Sequence, residues 1–209
     1  MPPKDVEKHR RSIRLRAFDY RGAGSYFVTV CAFNRQGLFG DIVDGAIVPN
    51  VFGNIVEEEW HRCAALRPYV ILDAFVVMPN HVHGIVCLNG SEKGKARLVP
   101  TTGRFGQPAA DSLGAIVGAF KSASTKRINQ LRGTAGALLW QKNYFEHVIR
   151  NDQELARVRE YIVANPARWP EDAENPNVSK KHSLQTEIDA IIVGARRALP
   201  SSLTGNKSQ

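Results

Sequence analysis

Two apolar, β-branched runs, at 69–78 and 81–88, are separated only by Pro79-Asn80, and this spacing constrains the fold more than any other feature of the chain. A Pro-Asn pair turns the backbone, so Tyr69 to Met78 and His81 to Leu88 are predicted to form an antiparallel hairpin. Alternate side chains of a strand share a face. His81 and His83 therefore point the same way with Cα atoms about 6.6 Å apart, close enough for both rings to lean onto one divalent ion. Val82 and Val86 face the other way, toward a core. Without a third ligand, His-x-His fits equally well a pair of half-buried strand histidines, and further donors have to come from elsewhere in the chain.

Periodicity places the remaining elements. Tyr26 to Phe33, after Gly22 and Gly24, reads as the first strand. Asn50 opens a helix to about Ala65, with Phe52, Ile55, Val56, Trp60 and Cys63 at helical spacing. From Ser112 to Leu131 a second helix carries Leu113, Ile116, Val117, Phe120, Ile128 and Leu131, decorated by Lys121, Lys126, Arg127 and Arg132. A short strand spans Phe145 to Ile149. Asn151 with Glu154 three residues on then starts a helix over 152–164, which Pro166 stops. A last amphipathic stretch runs from Leu184 to Leu199. The order β, α, β, β, α, β, α predicts an α+β fold, an antiparallel sheet with helices packed on it, of ferredoxin-like type. Three segments follow: a basic arm over 1–20, one domain over 21–170 with an exposed loop at about 89–111, and an extension over 171–209.

The chain of 209 residues has a formal charge of +8 and a pI near 9.6, which points to a polyanionic partner, nucleic acid before membrane. The arm carries Lys4, Lys8, Arg10, Arg11, Arg14 and Arg16 against Asp5 and Glu7, a pattern that suits either a phosphate backbone or a solvated tail. No apolar run approaches the ~20 residues that span a bilayer, and the N-terminus is too basic and polar for a secretory leader. The expectation is a cytoplasmic protein, nucleoid-associated when on DNA, with no membrane partner. Cys31, Cys63 and Cys87 are widely spaced among apolar neighbours and read as buried thiols in a reducing compartment.

The capped helix carries Tyr161 and, four residues on, Asn165, so a phenol and a carboxamide can address one small volume. A tyrosine attacks a phosphodiester if something offsets its pKa of ~10 and the phosphate's charge. A divalent cation does both, and an amide oxygen from Asn165 beside His81 and His83 would suit Mg²⁺ or Mn²⁺. Each residue also has a plainer reading, Tyr161 as an aromatic at the core's edge and Asn165 as a helix end before Pro166. Tyr144 and His147, in Asn143-Tyr144-Phe145-Glu146-His147, are the rival nucleophile and ligand.

These residues belong to a wider pattern. Ser12-Ile13-Arg14-Leu15, Tyr26-Phe27-Val28-Thr29-Val30, Leu38-Phe39-Gly40, Met78-Pro79-Asn80-His81-Val82-His83, Phe120-Lys121-Ser122, Glu146-His147-Val148-Ile149-Arg150 and Tyr161-Ile162-Val163-Ala164-Asn165-Pro166 together resemble the single-tyrosine HUH transposases, and among them the REP-associated tyrosine transposases. The resemblance runs from about Arg10 to Trp169. It implies His81, His83 and Asn165 as metal positions, Tyr161 as nucleophile, Mg²⁺ or Mn²⁺ as cofactor, and single-stranded DNA near palindromic repeat hairpins as substrate. The implied reaction cleaves and rejoins DNA through a 5′-phosphotyrosine, in a monomer or a homodimer. The chain departs from shorter members in its 89–111 loop and in the stretch after Trp169. Arg14, Arg16, Lys121 and Lys126 are the phosphate contacts suggested by charge and position. The alternatives are a hairpin-binding protein that does not cleave, and a metal-dependent nuclease in which water attacks.

Overall fold

The first strand and the hairpin lie side by side, so the histidines sit near the middle of a sheet. The computed structural model describes residues 23–89, 111–178 and 184–193. Strand β1 is Gly24–Cys31, β2 is Gly40–Val43, β3 is Ala46–Pro49, β4 is Val70–Val77, β5 is His81–Leu88 and β6 is Phe145–Ile149. The helices are α1, Val51–Ala65, α2, Leu113–Arg132, α3, Asp152–Ala164, and α4, Leu184–Val193. Each of the first three begins where a side chain satisfies the open N–H groups: Asn50 accepts from Phe52 and Gly53, Ser112 from Ala115, and Asn151 from Glu154. Gly133, in the left-handed region at φ 67°, ends α2.

The main sheet runs β4-β5-β1-β6, and its pairings are all antiparallel. Taken in chain order with α1 and α2, this is the β-α-β-β-α-β arrangement of the ferredoxin-like fold. The α+β architecture read from the periodicity is therefore the observed one. A second hairpin, β2 with β3, was not anticipated. Its signal was local: Asp44-Gly45 sits between short apolar runs, and both residues take positive φ, 51° and 76°, as a tight two-residue turn requires. The last helix is described only to Val193, so the expected stretch to Leu199 lies partly outside the described residues, as do the arm over 1–20 and most of the 89–111 loop.

The sheet separates two cores. On one face Tyr26, Val28, Val30, Val82 and Val86 pack against Val56 and Trp60 of α1 and Val117 and Phe120 of α2. On the other, Phe27 and Ile85 pack against Val158, Tyr161 and Ile162 of α3 and Leu184 and Ile188 of α4. The alternation that sends Val82 and Val86 into the first core turns His81 and His83 to the second face. Of the cysteines, Cys63 is buried, while Cys31 and Cys87 are half-buried, because their strand positions lie toward the ends of β1 and β5.

Gly84, between the histidines and the end of β5, is fixed by packing rather than by backbone conformation. A Cβ there would lie 2.4 Å from the indole of Trp60, whose ring is stacked on Phe75 and set edge-on to Phe120. The indole has no room to retreat. Gly84→Ala is expected to destabilise the protein by about 2 kcal/mol, read as a fall in melting temperature of about 4–8 °C; an unchanged melting temperature would contradict this packing.

Candidate metal and tyrosine site

The two histidines present their Nε2 atoms to each other because both Nδ1 atoms are held from behind. Thr29 Oγ1 lies 2.7 Å from His83 Nδ1, and Asn80 Oδ1 lies 2.8 Å from His81 Nδ1. Thr29 stands opposite His83 in the β1–β5 register and so shares its face. Asn80 Oδ1 can only accept, which places the proton of neutral His81 on Nδ1 and leaves Nε2 as a lone pair. Burial, followed by the charge of a protonated His83, pulls the pKa of His81 down to about 3, with Asp172 opposing. The two Nε2 atoms are 2.9 Å apart.

A third donor comes from a segment far along the chain. Asp172 Oδ2 lies 3.9 Å from His81 Nε2 and 4.0 Å from His83 Nε2, so one ligand atom from each residue converges on a common point. Metal–nitrogen and metal–oxygen bonds of about 2.0–2.2 Å would span these gaps from a single centre. Burial resists ionisation of Asp172, but hydrogen bonding and charge from His83 and His81, with the Glu174 N–H donating to its Oδ1, hold the carboxyl well below the usual carboxylate range. A neutral imidazole beside a carboxylate in a buried pocket is a donor set that fits a divalent cation.

Tyr161 closes the site from α3. Its hydroxyl is 3.4 Å from His83 Nε2, and the side chain is only 3% exposed. Phe27 stacks on His83 and meets Tyr161 edge-on, fixing both rings against the sheet. Burial pushes the Tyr161 phenol well above its ordinary value, Glu187 and Asp172 add to this, and Arg168 and a hydrogen bond from Asn165 work against it. The phenol is therefore neutral in this state.

Asn165 adjoins this cluster. Its Nδ2 donates to Asp172 Oδ2 at 3.0 Å, while its Oδ1 is buried without a hydrogen-bond partner. The carboxylate that completes the His–His cluster was not expected from sequence. It follows Pro170, in Glu171-Asp172-Ala173-Glu174, where no periodicity links it to the histidines. This segment is tied down by Glu174, whose carboxylate pairs with Arg35 at 2.5 Å and whose carbonyl accepts from Asn80 Nδ2 at 2.8 Å. The His81, His83 and Asp172 side chains are almost completely excluded from solvent.

The rivals are placed elsewhere. Tyr144 packs on the core beneath α1 and α2, and His147 Nε2 pairs with Glu154 at 2.5 Å. Lys121, one of the expected phosphate contacts, is engaged within the protein. Its ammonium donates to the carbonyls of Gln141, Lys142 and Asn143 at 2.5, 3.1 and 3.4 Å, and burial lowers its pKa to about 8. Lys126 is exposed on α2, on the far side of the sheet from Tyr161. Arg14 and Arg16 lie outside the described residues.

The buried histidine and carboxylate make metal-free stability pH-dependent. The folded-state pKa values of His81 and Asp172 both lie below their ordinary values of 6.5 and 3.8, so the unfolded chain binds more protons as pH falls. The contribution of His81 is complete above pH 6.5 and is lost progressively from there toward about pH 3, whereas that of Asp172 is lost only below about pH 3.8. In EDTA, the melting temperature is expected to fall over this interval, and His81→Gln is expected to flatten its upper part; equal slopes in the two proteins would contradict the assignment.

The four-stranded antiparallel sheet with helices packed on it is an α+β fold shared with a solved structure. A solved REP-associated tyrosine transposase, bound to a REP hairpin, superposes with a TM-score of 0.50 at 20% identity, over 76% of this chain and 74% of that one. The chain belongs to the same family as an uncharacterized protein of Haemophilus influenzae, 37% identical over 167 residues, which span 78% of this chain and 92% of the relative. No protein-family model matches the chain. Among the described residues, no helix is long and apolar enough to cross a membrane.

Proposed function

We propose that the protein is a transposase-type enzyme that cleaves and rejoins single-stranded DNA near palindromic repeat hairpins. The observation that carries this reading is a tyrosine hydroxyl 3.4 Å from a histidine of a buried three-donor cluster. Nucleophile and metal donors meet in one pocket, as in-line attack on a phosphodiester requires. His81 and His83 would hold Mg²⁺ or Mn²⁺ with an oxygen from Asp172 or Asn165, and the bound cation would supply charge neutralisation at the scissile phosphate.

The chain's own groups do the rest. Thr29 and Asn80 hold the two imidazoles with their Nε2 atoms directed into the site, and Phe27 holds the Tyr161 ring in place. Attack forms the bond from the Tyr161 oxygen to phosphorus and breaks the bond to the 3′ oxygen. The phenol loses its proton and the 3′ oxygen departs as a hydroxyl, leaving a 5′-phosphotyrosine. Because the phosphodiester bond is exchanged rather than hydrolysed, a 3′-hydroxyl can reverse the step without ATP.

The test is incubation of 5′- and 3′-labelled hairpin oligonucleotides with the protein and Mg²⁺ or Mn²⁺, followed by denaturing gels. A metal-dependent adduct is expected in which the protein is joined to the 5′-phosphate of the downstream fragment, so that it carries the 3′ label while the 5′ label stays on the released fragment. Cleavage without that adduct would replace the reading with a hydrolytic nuclease, and binding without cleavage with a hairpin-binding protein.

A further inference from the structure

Residues 112–145 contain Lys121, Lys126, Arg127, Arg132 and Lys142 and no aspartate or glutamate. The C-terminal half of α2 and the 135–142 loop fold this stretch around an open groove of about 610 Å³, lined only by its residues. Three of the five cations are already engaged. Lys121 is held by the carbonyls of 141–143, Arg127 pairs with Glu58 and Glu59 at 2.7 and 2.8 Å, and Arg132 bonds Asn129 and Thr134. Lys126 and Lys142 remain, exposed at the groove, and neither is in an ion pair among the described residues. The groove itself is largely apolar. Leu138 is 63% exposed within it, and beneath it Trp140 is buried in the core, its Nε1 donating to Ser124 Oγ.

We propose that this groove binds an unpaired nucleotide of the DNA substrate, its base against Leu138 and its flanking phosphates on Lys126 and Lys142. The proposal rests on the DNA-processing reading and adds a contact surface separate from the tyrosine site. A duplex keeps its bases stacked inside and offers only phosphates to a surface, whereas a single strand can put a base on an apolar floor and phosphates on its cationic rim. The position suits one continuous strand. Gln141 N–H donates to the Cys31 carbonyl, and Cys31 stands opposite His81, so the wall of the groove begins about two strand spacings, ~10 Å, from the metal end of the sheet. DNA leaving the tyrosine site can pass the end of the sheet and enter the groove on its other face.

The test measures anisotropy of a labelled oligo-dT in EDTA, so that binding is read without chemistry, for wild type, the double variant Lys126→Glu with Lys142→Glu, and Leu138→Asp. All three side chains are exposed, and unchanged melting temperatures check the fold. The double variant is expected to raise Kd at least tenfold and to lower the log–log salt slope by about 1.4, the value for two single-strand phosphates. Leu138→Asp is expected to weaken oligo-dT and spare a blunt duplex, and bromodeoxyuridine crosslinks are expected on the peptide spanning 135–142. Wild-type affinity in the double variant, or equal losses on duplex and single strand, would overturn the proposal. Displacement of oligo-dT by polyglutamate at equal charge concentration would overturn it in favour of an acidic protein partner. A wild-type adduct with unaltered binding in the double variant defeats the groove alone; groove-dependent binding without an adduct defeats the catalytic reading alone.

Discussion

Tyr161→Phe is expected to abolish the covalent protein–DNA adduct, a loss of at least about 10⁴-fold, because removing a nucleophile removes the step itself rather than one contribution to it. The substitution deletes one oxygen from a ring whose packing against Phe27 is retained, so the fold should be unaffected. Metal-free binding of hairpin DNA should be unaffected too. Tyr144→Phe is expected to leave the adduct at wild-type level, since Tyr144 packs against the core of the sheet's other face. Denaturing gels on the three proteins decide the matter. An adduct that survives in Tyr161→Phe and vanishes in Tyr144→Phe would reverse the assignment.

The second large effect concerns the metal. Mg²⁺ or Mn²⁺ at about 100 times its Kd should stabilise the folded state by about 2.7 kcal/mol, a rise in melting temperature of about 5–10 °C. His81→Ala and His83→Ala should each eliminate that rise, because each removes one of the donors converging on the site. Thr29→Val is a finer test. It preserves shape on β1 but removes the hydroxyl at His83 Nδ1, and is expected to weaken metal binding about 10–100-fold, as loss of such supporting hydrogen bonds does elsewhere. Asp172→Asn should weaken binding more than Asn165→Ala in DNA-free protein, since the carboxylate supplies the negative charge of the cluster. Titration by calorimetry would show a shift that persists in both histidine variants if the cation sits elsewhere.

Much of the architecture was legible because it is governed by neighbours in sequence. Asn50, Ser112 and Asn151 cap helices through N–H groups two or three residues away, and the alternation around His81 and His83 sets their common face whatever the strand pairs with. The β2–β3 hairpin was missed, although Asp44-Gly45 marks its turn, because the runs flanking that turn are only four residues each.

What tertiary structure alone decided is the use made of each side chain. Thr29 reaches His83 across 54 positions, Asn80 reaches Glu174 across 94, and Asp172 meets the histidines only because the segment after Pro170 folds back over the sheet. Lys121 looked like a surface cation by helical spacing, yet the loop at 141–143 turns three carbonyls onto it. Hydrogen-bonding and metal-binding groups act within about 3 Å in space, and separation along the chain sets no limit on which of them meet. The sequence by itself determined the strands, the helices and the facing of the His-x-His pair; chain closure determined which carboxylate joins that pair, how deeply the tyrosine is buried, and which cations remain exposed.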